Sequence, residues 1–436
     1  MKHIYLKRKF YIPALFLIAF GSISGCSKQQ QPPKNNSNNN DDSGSITKAT
    51  TLGDFTPTSG VGGTVIKISG KNFNTVPGNN SVFINGDRLN LYSVTSTEII
   101  AAIPATANTG ILTMTSGSTP LASTAKFTIM YGDVNNLYKI HGFQGQHVQV
   151  DRSNNIWGHD EHGVYKLNSD GTAVRYTGSF DDYKRITDFT IRPSGDIYIA
   201  NADNFNIIKV TPQKIATVFA GSGDEGFAEG AGTAAKFSAI GGISHDEAGN
   251  LYVIDGHRVR KITSSGMVST LAGSDADGNA DGLGVAAQFG DLAGIAVDEW
   301  EGVVYVSDKK YHNIRKITPD GAVTTIAGNG TAGFVDGTGN GAQFYQPGAM
   351  AVDPSGNIWI ADNNAAGPVY EIRVMNKVGL VRTYIKGTIN SGDPVSGSAP
   401  FASVINPQGL AFDLAGSLYI DNAGPNVISK MTFKNN

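Results

Sequence analysis

Hydrophobic and polar residues alternate along most of this chain in short runs, a pattern typical of β-strands rather than of helices. The pattern is clearest in residues 294–328, which read GIAVDEWEGVVYVSDKKYHNIRKITPDGAVTTIAG. Four runs rich in Val, Ile or Tyr alternate there with Asp, Gly, Pro or Asn: Gly294–Val297, Val303–Ser307, Asn313–Ile317 and Val323–Ala327. They predict one small antiparallel sheet. Such a sheet cannot bury its apolar faces alone, so further copies must pack against it.

Further copies are found by aligning an aromatic residue in the second run. It follows the frame Asp-x-x-Gly-Asn-aliphatic, or a degraded form of it, at Trp157, Tyr198, Tyr252, Tyr305, Trp359 and Tyr419. The spacings are 41, 54, 53, 54 and 60 residues. Six copies of a four-strand unit predict a six-bladed β-propeller.

The repeated segment resembles the NHL repeat, most closely in residues 241–273 and 294–328. The resemblance extends from about Asp133 to the C-terminus and implies an NHL-type propeller. The last copy has only three strand-like runs, so a complete sixth blade needs a strand from elsewhere. We expect residues 136–141, NLYKIH, to supply it, because an open ring would leave an unpaired sheet edge.

A second all-β unit precedes the repeats. Residues 55–73, FTPTSGVGGTVIKISGKNF, resemble the opening of an IPT/TIG immunoglobulin-like domain. Four more strand-like runs follow before residue 130, which fits a sandwich of about 80 residues. The predicted fold is therefore all-β, an immunoglobulin-like IPT/TIG sandwich followed by the propeller. The resemblance implies that the sandwich spaces or presents its neighbour.

The first 47 residues have the composition of a targeting segment and a tether. Lys7-Arg8-Lys9 precedes an apolar run that is too short to span a bilayer, and Ile23-Ser24-Gly25-Cys26 resembles a bacterial lipobox, which implies lipidation of Cys26. Residues 27–47 are mostly Gln, Asn and Pro and cannot form a core. We predict a signal peptide at 1–25, a tether at 26–47, the IPT/TIG domain at 48–131 and the propeller at 132–436.

The lipobox predicts an outer-membrane lipoprotein that is attached to the membrane through its lipid alone. The residue directly after the cysteine is Ser27 rather than an aspartate, and this fits sorting to the outer membrane. The cell-surface side is favoured and the periplasmic side stays open. A plain secretory signal with an incidental cysteine is the alternative.

Charge and motifs narrow the classes of function. Removal of residues 1–25 takes away four basic residues and no acidic ones, so the net charge changes from −3 to about −7, and no basic stripe is left for nucleic acid. Two loops spell G-x-G-x-x-G, at 221–226 and 328–333, but no helix follows either of them. Motifs of acyl-transfer enzymes and zinc proteases are absent from the sequence. We predict no cofactor.

The usual binding face of a propeller carries the interblade loops and the loops between strands two and three. Candidate ligand contacts from this face are His159, Asp203, Asp255, His257, Asp308, Tyr311, His312, Asp362, Asn363, Asp421, Phe227, Phe334 and Tyr345. The three histidines stand at different offsets from the aligned aromatic, which disfavours a shared zinc or manganese site. Trp300 belongs to a strand one–two loop on the opposite face and is the tryptophan predicted to be most exposed.

The interblade loops repeat closely after Gly221, Gly273 and Gly328. An acid follows eight residues later (Glu229, Asp281 and Asp336) and a phenylalanine 16 residues later (Phe237, Phe289 and Phe344). We expect the acids to fix the loops through hydrogen bonds from nearby backbone N–H groups, and the phenylalanines to plug the spaces between blades.

These features favour a non-enzymatic function over an enzyme. IPT/TIG and NHL lipoproteins resemble accessory components of polysaccharide capture, so the propeller face is expected to bind a glycan or an outer-membrane protein partner. The alternatives are a propeller enzyme (a metal-assisted lyase or a lactone hydrolase) and a protein-interaction scaffold.

Overall fold

A computed structural model of the chain describes residues 49–435 except 77–78, 105–106, 117–118, 140–145, 169, 171, 179–182, 365–366, 368, 389–396, 399–402 and 424. The predicted signal peptide, Cys26 and the tether lie outside the described residues.

Residues 51–129 form two facing sheets whose strands alternate between buried and exposed side chains. In the strand Val65–Lys71, for example, Ile66 and Ile68 are buried while Lys67 and Ser69 are exposed. One sheet has the order β1-β3-β7-β6, and the other has the order β5-β4-β8-β9, with β2 parallel to β9. The strands are β1 Thr51–Thr56, β2 Ser59–Gly60, β3 Val65–Lys71, β4 Asn80–Ile84, β5 Asp87–Arg88, β6 Asn90–Val94, β7 Glu98–Ala102, β8 Gly110–Ser116 and β9 Thr119–Lys139.

Six groups of four antiparallel strands follow, and each group is the body of one blade. Blade 1 has β10 Gln146–Val150, β11 Ile156–Asp160, β12 Gly163–Leu167 and β13 Ala173–Arg175. Blade 2 has β14 Ile186–Ile191, β15 Ile197–Asn201, β16 Asn206–Val210 and β17 Ala216–Ala220.

Blades 3 to 5 each carry an additional two-residue strand from the preceding interblade loop. Blade 3 has β18 Gly230–Ala231, β19 Ile240–His245, β20 Leu251–Asp255, β21 Arg258–Ile262 and β22 Met267–Gly273. Blade 4 has β23 Gly282–Leu283, β24 Leu292–Asp298, β25 Val303–Asp308, β26 Asn313–Ile317 and β27 Ala322–Ala327. Blade 5 has β28 Gly337–Thr338, β29 Pro347–Val352, β30 Ile358–Asn363, β31 Val369–Met375 and β32 Leu380–Thr388. The short strands pair with β22, β27 and β32 and so cover the outer edges of these blades.

Blade 6 is completed by a strand from the other end of the chain. It contains β34 Pro407–Phe412, β35 Leu418–Asn422 and β36 Val427–Asn435, and β33 Gly397–Ser398 pairs with its outer edge. The second half of β9 pairs with β36 from Met130↔Asn435 to Lys139↔Val427. The predicted closing strand is therefore present and begins six residues earlier than expected. The inner strands β10, β14, β19, β24, β29 and β34 contact one another in sequence, and β34 returns to β10.

The aligned aromatic residue of each repeat lies in the core next to its own turn. Trp157 and Trp359 are 6% and 0% exposed, and their Nε1 atoms donate to Asp151 and Asp353 over 2.9 and 3.0 Å. The same carboxylates also accept backbone N–H groups of the turn. One aspartate thus fixes both a turn and an aromatic ring, which explains why the frame Asp-x-x-Gly-Asn-aliphatic-aromatic recurs.

The interblade phenylalanines are buried as predicted. Phe237, Phe289 and Phe344 have no exposed surface, and each packs in a cluster with residues of two successive blades. Short 3₁₀ turns in the chain lie at Ala202–Asn204, Gly232–Ala234, Gly284–Ala286 and Gly339–Gly341.

Candidate functional site

Three of the candidate aspartates lie at the ends of second strands, and each accepts hydrogen bonds from backbone N–H groups of its own blade. Asp255 accepts the Ser238 and Ala239 N–H groups at 2.7 and 2.9 Å. Asp308 accepts Gly290 N–H at 2.6 Å, and in blade 5 Asp362 accepts two N–H groups in the same way. All three carboxylates are fully buried, and they hold the entry into the inner strand. Burial raises the pKa of Asp362 to about 7.

The interblade loops that precede blades 3, 4 and 5 are each held by a buried arginine on the third strand of the blade. These arginines were not predicted from the sequence. Arg260, Arg315 and Arg373 are 0% exposed and donate to carbonyl groups of the interblade loops at 2.9–3.3 Å. Two of the repeated acids reinforce this: Asp281 lies 2.8 Å from Arg315, and Asp336 lies 2.9 Å from Arg373.

The third repeated acid accepts a backbone N–H group, as predicted from the sequence. Glu229 accepts the backbone N–H of Thr270 at 2.8 Å. The sequence does contain a sign of these arginines, because the third strand-like run has an arginine in each of three successive repeats.

The three predicted histidines have separate partners. His159 is fully buried beside Phe189, and burial lowers its pKa to about 3. His257 Nδ1 lies 2.6 Å from the Gly290 carbonyl oxygen, and His312 Nδ1 lies 2.5 Å from that of Tyr345. Among the described residues, no group of three or more His, Cys, Asp or Glu side chains is arranged to hold a metal ion.

The predicted aromatic residues make local contacts. The Phe227 ring is half exposed and is covered by the Arg258 guanidinium, 4.2 Å from its centroid. Phe334 and Tyr345 stack with centroids 5.6 Å apart, and the Tyr311 hydroxyl lies 3.2 Å from Asp277.

The remaining predicted polar residues are also engaged or buried. Asp203 pairs with Arg185 at 2.8 Å, and Asn363 donates to the Pro407 carbonyl at 3.0 Å. Asp421 is 4% exposed, and burial raises its pKa to about 7. A ligand-binding role for these thirteen residues stays a prediction.

A cavity of about 590 Å³ occupies the central channel and is lined by all six inner strands. The inner strands lie close together near their first residues. Between β24 and β29 there is no space for a side chain on Gly294, because a Cβ atom there would lie 2.1 Å from the Gly348 carbonyl oxygen. The lining extends from there to the strand one–two loops, through Arg152, Trp300, Pro354 and Leu414. Of the residues described around this cavity, none is among the thirteen candidates. We call the end at the strand one–two loops the channel mouth.

The blade 4 loop at the channel mouth, Asp298–Gly302, is longer than its counterparts. In blades 3, 5 and 6 the turn glycine donates its N–H to the carbonyl three residues earlier, whereas Gly302 donates to Asp298, four residues earlier, at 2.8 Å. The additional residue leaves Trp300 83% exposed. Lys377 of blade 5 donates to Asp298 Oδ2 at 2.8 Å and to Glu301 Oε1 at 2.9 Å. Burial works against the charge of Lys377, but these hydrogen bonds outweigh it and raise its pKa.

Polar groups line the same cavity. His245 Nδ1 lies 2.7 Å from the Thr190 hydroxyl, and its Nε2 lies 3.7 Å from Glu299. Burial lowers the pKa of His245 to about 4 and raises that of Glu299, which nearby Glu247 raises further. Deeper in the channel, His147 Nδ1 lies 3.5 Å from Asp188, whose pKa burial also raises. This set of donors and acceptors beside an exposed indole suits a polar ligand with an apolar face.

Comparison with known proteins agrees with the two folds. Residues 51–129 match the IPT/TIG domain family. The chain is 30% identical over 166 residues to NHL repeat-containing protein 2 of Bos taurus, which is 34% of this chain and 22% of that protein. This chain combines an IPT/TIG domain with an NHL-type β-propeller.

The chain is also similar in sequence to a plant protein and in fold to a bacterial protein. It is 30% identical over 183 residues to the protein SUPPRESSOR OF QUENCHING 1, chloroplastic, of Arabidopsis thaliana, which is 38% of this chain and 17% of that protein. Its fold is similar to that of an auxiliary nutrient binding protein from Bacteroides thetaiotaomicron VPI-5482, with a TM-score of 0.53, 16% identity, and coverage of 89% of this chain and 98% of the other.

The aligned regions span less than a quarter of the length of the Bos taurus and Arabidopsis thaliana relatives. Within the part of the NHL-type protein that the structure describes, no helix is long and apolar enough to cross a membrane.

Proposed function

We propose that this protein is a lipid-anchored binding protein of the cell envelope whose propeller binds a glycan at the channel mouth. The observation that carries the proposal is the 83% exposure of Trp300 at the rim of the channel cavity. Trp157 and Trp359 are 6% and 0% exposed, so the chain buries its other tryptophans. Exposure of a flat indole face to water is unfavourable, so a partner that covers the face gains free energy from its burial. A sugar ring has an apolar face of matching shape.

The dimensions and the polar groups of the cavity support a glycan. Its volume of about 590 Å³ lies in the range of small-molecule sites, so the channel can hold part of a glycan chain. Glu299 and His245 can exchange hydrogen bonds with sugar hydroxyls near Trp300. The envelope location rests on the lipobox at Cys26, and the fold shared with a nutrient-binding protein is consistent with a role in capture.

The proposal is tested by screening the chain without residues 1–26 on a glycan array and measuring the affinity for any bound glycan by calorimetry. We expect Trp300→Ala to weaken binding about tenfold or more, as for a central aromatic contact. The matched control is Phe227→Ala, which removes a half-exposed aromatic residue from the opposite face.

Two outcomes contradict the proposal. Loss of affinity in Phe227→Ala but not in Trp300→Ala would move the site to the face of the interblade loops. An array without bound glycans, together with a protein partner retained by the wild-type chain, would favour a protein-interaction scaffold.

A further inference from the structure

The IPT/TIG domain is held against the third-to-fourth strand turn of blade 5. Val61 is 6% exposed and packs in one apolar cluster with Trp359 and Ile372 of that blade. Next to it, the Asn376 side chain donates through Nδ2 to the Gly63 carbonyl at 3.0 Å. Asn376 is 2% exposed, so this hydrogen bond is shielded from water and joins the two folds.

Asn376 differs from its counterparts in a way that permits this contact. At the same turn position, blades 2, 3 and 4 have threonines whose hydroxyls accept the N–H group four residues later, at 3.3, 3.1 and 3.0 Å: Thr211, Thr263 and Thr318. Asn376 Oδ1 accepts the Leu380 N–H in the same way at 3.0 Å. The NH₂ group of the same side chain remains free to donate to the IPT/TIG domain. A threonine has no such second group.

The next residue reaches the channel mouth. Lys377 donates to Asp298 and Glu301, which lie on either side of Trp300 in the extended loop. Asp298 in turn accepts the Trp300 and Glu301 N–H groups through Oδ1, both at 3.2 Å. In blade 5 the equivalent carboxylate, Asp353, accepts a hydrogen bond from its own tryptophan, whereas in blade 4 Asp298 accepts one from Lys377.

We propose that the docked IPT/TIG domain positions the Trp300 loop through Asn376 and Lys377. Asn376 is fixed by Gly63, its neighbour Lys377 is thereby held toward blade 4, and the loop keeps the indole at the rim of the cavity. The IPT/TIG domain then contributes to ligand affinity without contacting the ligand. This inference rests on the proposed binding role of Trp300, and Asn376 and Lys377 are positioning residues in it.

Hydrogen–deuterium exchange of the chain without residues 1–26 tests the proposal without any ligand. The probes are the backbone amides of Trp300, Glu301 and Gly302, whose hydrogen bonds depend on Asp298. Asn376→Thr keeps the oxygen that caps the turn and removes the amide that contacts Gly63. We expect this variant to exchange these amides about tenfold faster, because a buried hydrogen bond contributes on that order.

Three variants complete the experiment. Lys377→Met removes the direct contact and is expected to accelerate the same amides at least as much. Tyr92→Phe removes a hydroxyl 3.4 Å from Asn376 Nδ2 and gives a milder change if Asn376→Thr fails to fold. Thr211→Asn makes the reverse exchange in blade 2, which is not adjacent to the loop, and is the matched control, with no expected change at residues 300–302.

Acceleration in Lys377→Met alone would overturn the link to the IPT/TIG domain, and unchanged exchange in all the variants would overturn the whole inference. Calorimetry with a glycan identified by the array gives the second readout, in which Asn376→Thr is expected to weaken binding severalfold. Faster exchange in a protein that binds no array glycan would support the positioning and refute the glycan function, so the two failures are distinguishable.

Discussion

Substitution of the buried His159 makes a pH-dependent contribution to stability measurable. Its ring has no exposed surface, and burial, with His147 nearby, lowers its pKa to about 3. In the unfolded chain a histidine has a pKa of about 6.5. Between these values the unfolded state binds a proton that the folded state does not, so stability falls as the pH falls from about 6.5 to 3.

The magnitude follows from this window. Well inside this window each pH unit corresponds to about 1.4 kcal/mol, and half of the unfolded histidine is already protonated at pH 6.5, so His159 lowers the free energy of unfolding by about 2 kcal/mol between pH 6.5 and 4.5. His159→Phe removes the titrating group and keeps an aromatic ring against Phe189, whose centroid lies 5.7 Å away. We expect the variant to gain about 2 kcal/mol relative to the wild type over this range.

Other buried groups change the absolute stability but not this difference. His245, with a pKa of about 4, acts in the same direction as His159. Asp421, with a pKa raised to about 7, acts in the opposite direction, because its folded form holds a proton that the unfolded form has released. Both groups are present in wild type and variant, so their contributions cancel in the comparison.

The assay is urea unfolding of both proteins at pH 7.5, 6.5, 5.5 and 4.5, with the free energies extrapolated to water. The values at pH 7.5 give the pH-independent cost of the substitution, including the lost hydrogen bond to the Asp160 carbonyl. Ile156→Val, a non-titrating change in the same strand, is the matched control and should cost about 1 kcal/mol at every pH. A difference between His159→Phe and wild type that stays constant from pH 6.5 to 4.5 would refute the reasoning.

Two further predictions concern the buried arginines and the lipid anchor. Arg373→Met leaves Asp362 buried without its cation and removes the buried cation of Glu371, and it is expected to lower the free energy of unfolding by about 3–5 kcal/mol, measured by urea unfolding. Lys386→Met, which removes an exposed partner of the same Glu371, should cost less than about 1 kcal/mol, and equal losses would contradict the argument. Cys26→Ala is expected to shift the protein from the membrane to the soluble fraction of the native host, and unchanged fractionation would exclude lipidation as the anchor.

Much of the fold was predictable because each blade is encoded locally. Alternating apolar residues and turn residues specify the four strands, and the aspartate that binds both its turn and the aromatic ring keeps the frame recognisable in most copies. The missing fourth strand of the last copy predicted closure by an N-terminal segment, which is now seen in β9.

The junction between the two folds was less accessible from the sequence. The predicted domain boundary at residue 131 falls inside β9, which passes from the sandwich into blade 6 without a turn. Strand patterning is the same on either side of such a boundary, so the sequence carries no signal for a strand that two sheets share. The contact of Asn376 with Gly63 joins residues 313 positions apart and has no local signature either.

By itself, the sequence determined the number of blades, the strands within them and the residues that plug the spaces between them, because these depend on local periodicity. Only the tertiary structure decided where the cavity opens, since that depends on how six separate inner strands converge around one axis. The loop 298–302 shows both levels. Its extra residue is visible in the sequence, but the exposure of Trp300 at the channel mouth and the hydrogen bonds that Lys377 of the next blade donates to Asp298 and Glu301 are seen only in the tertiary structure.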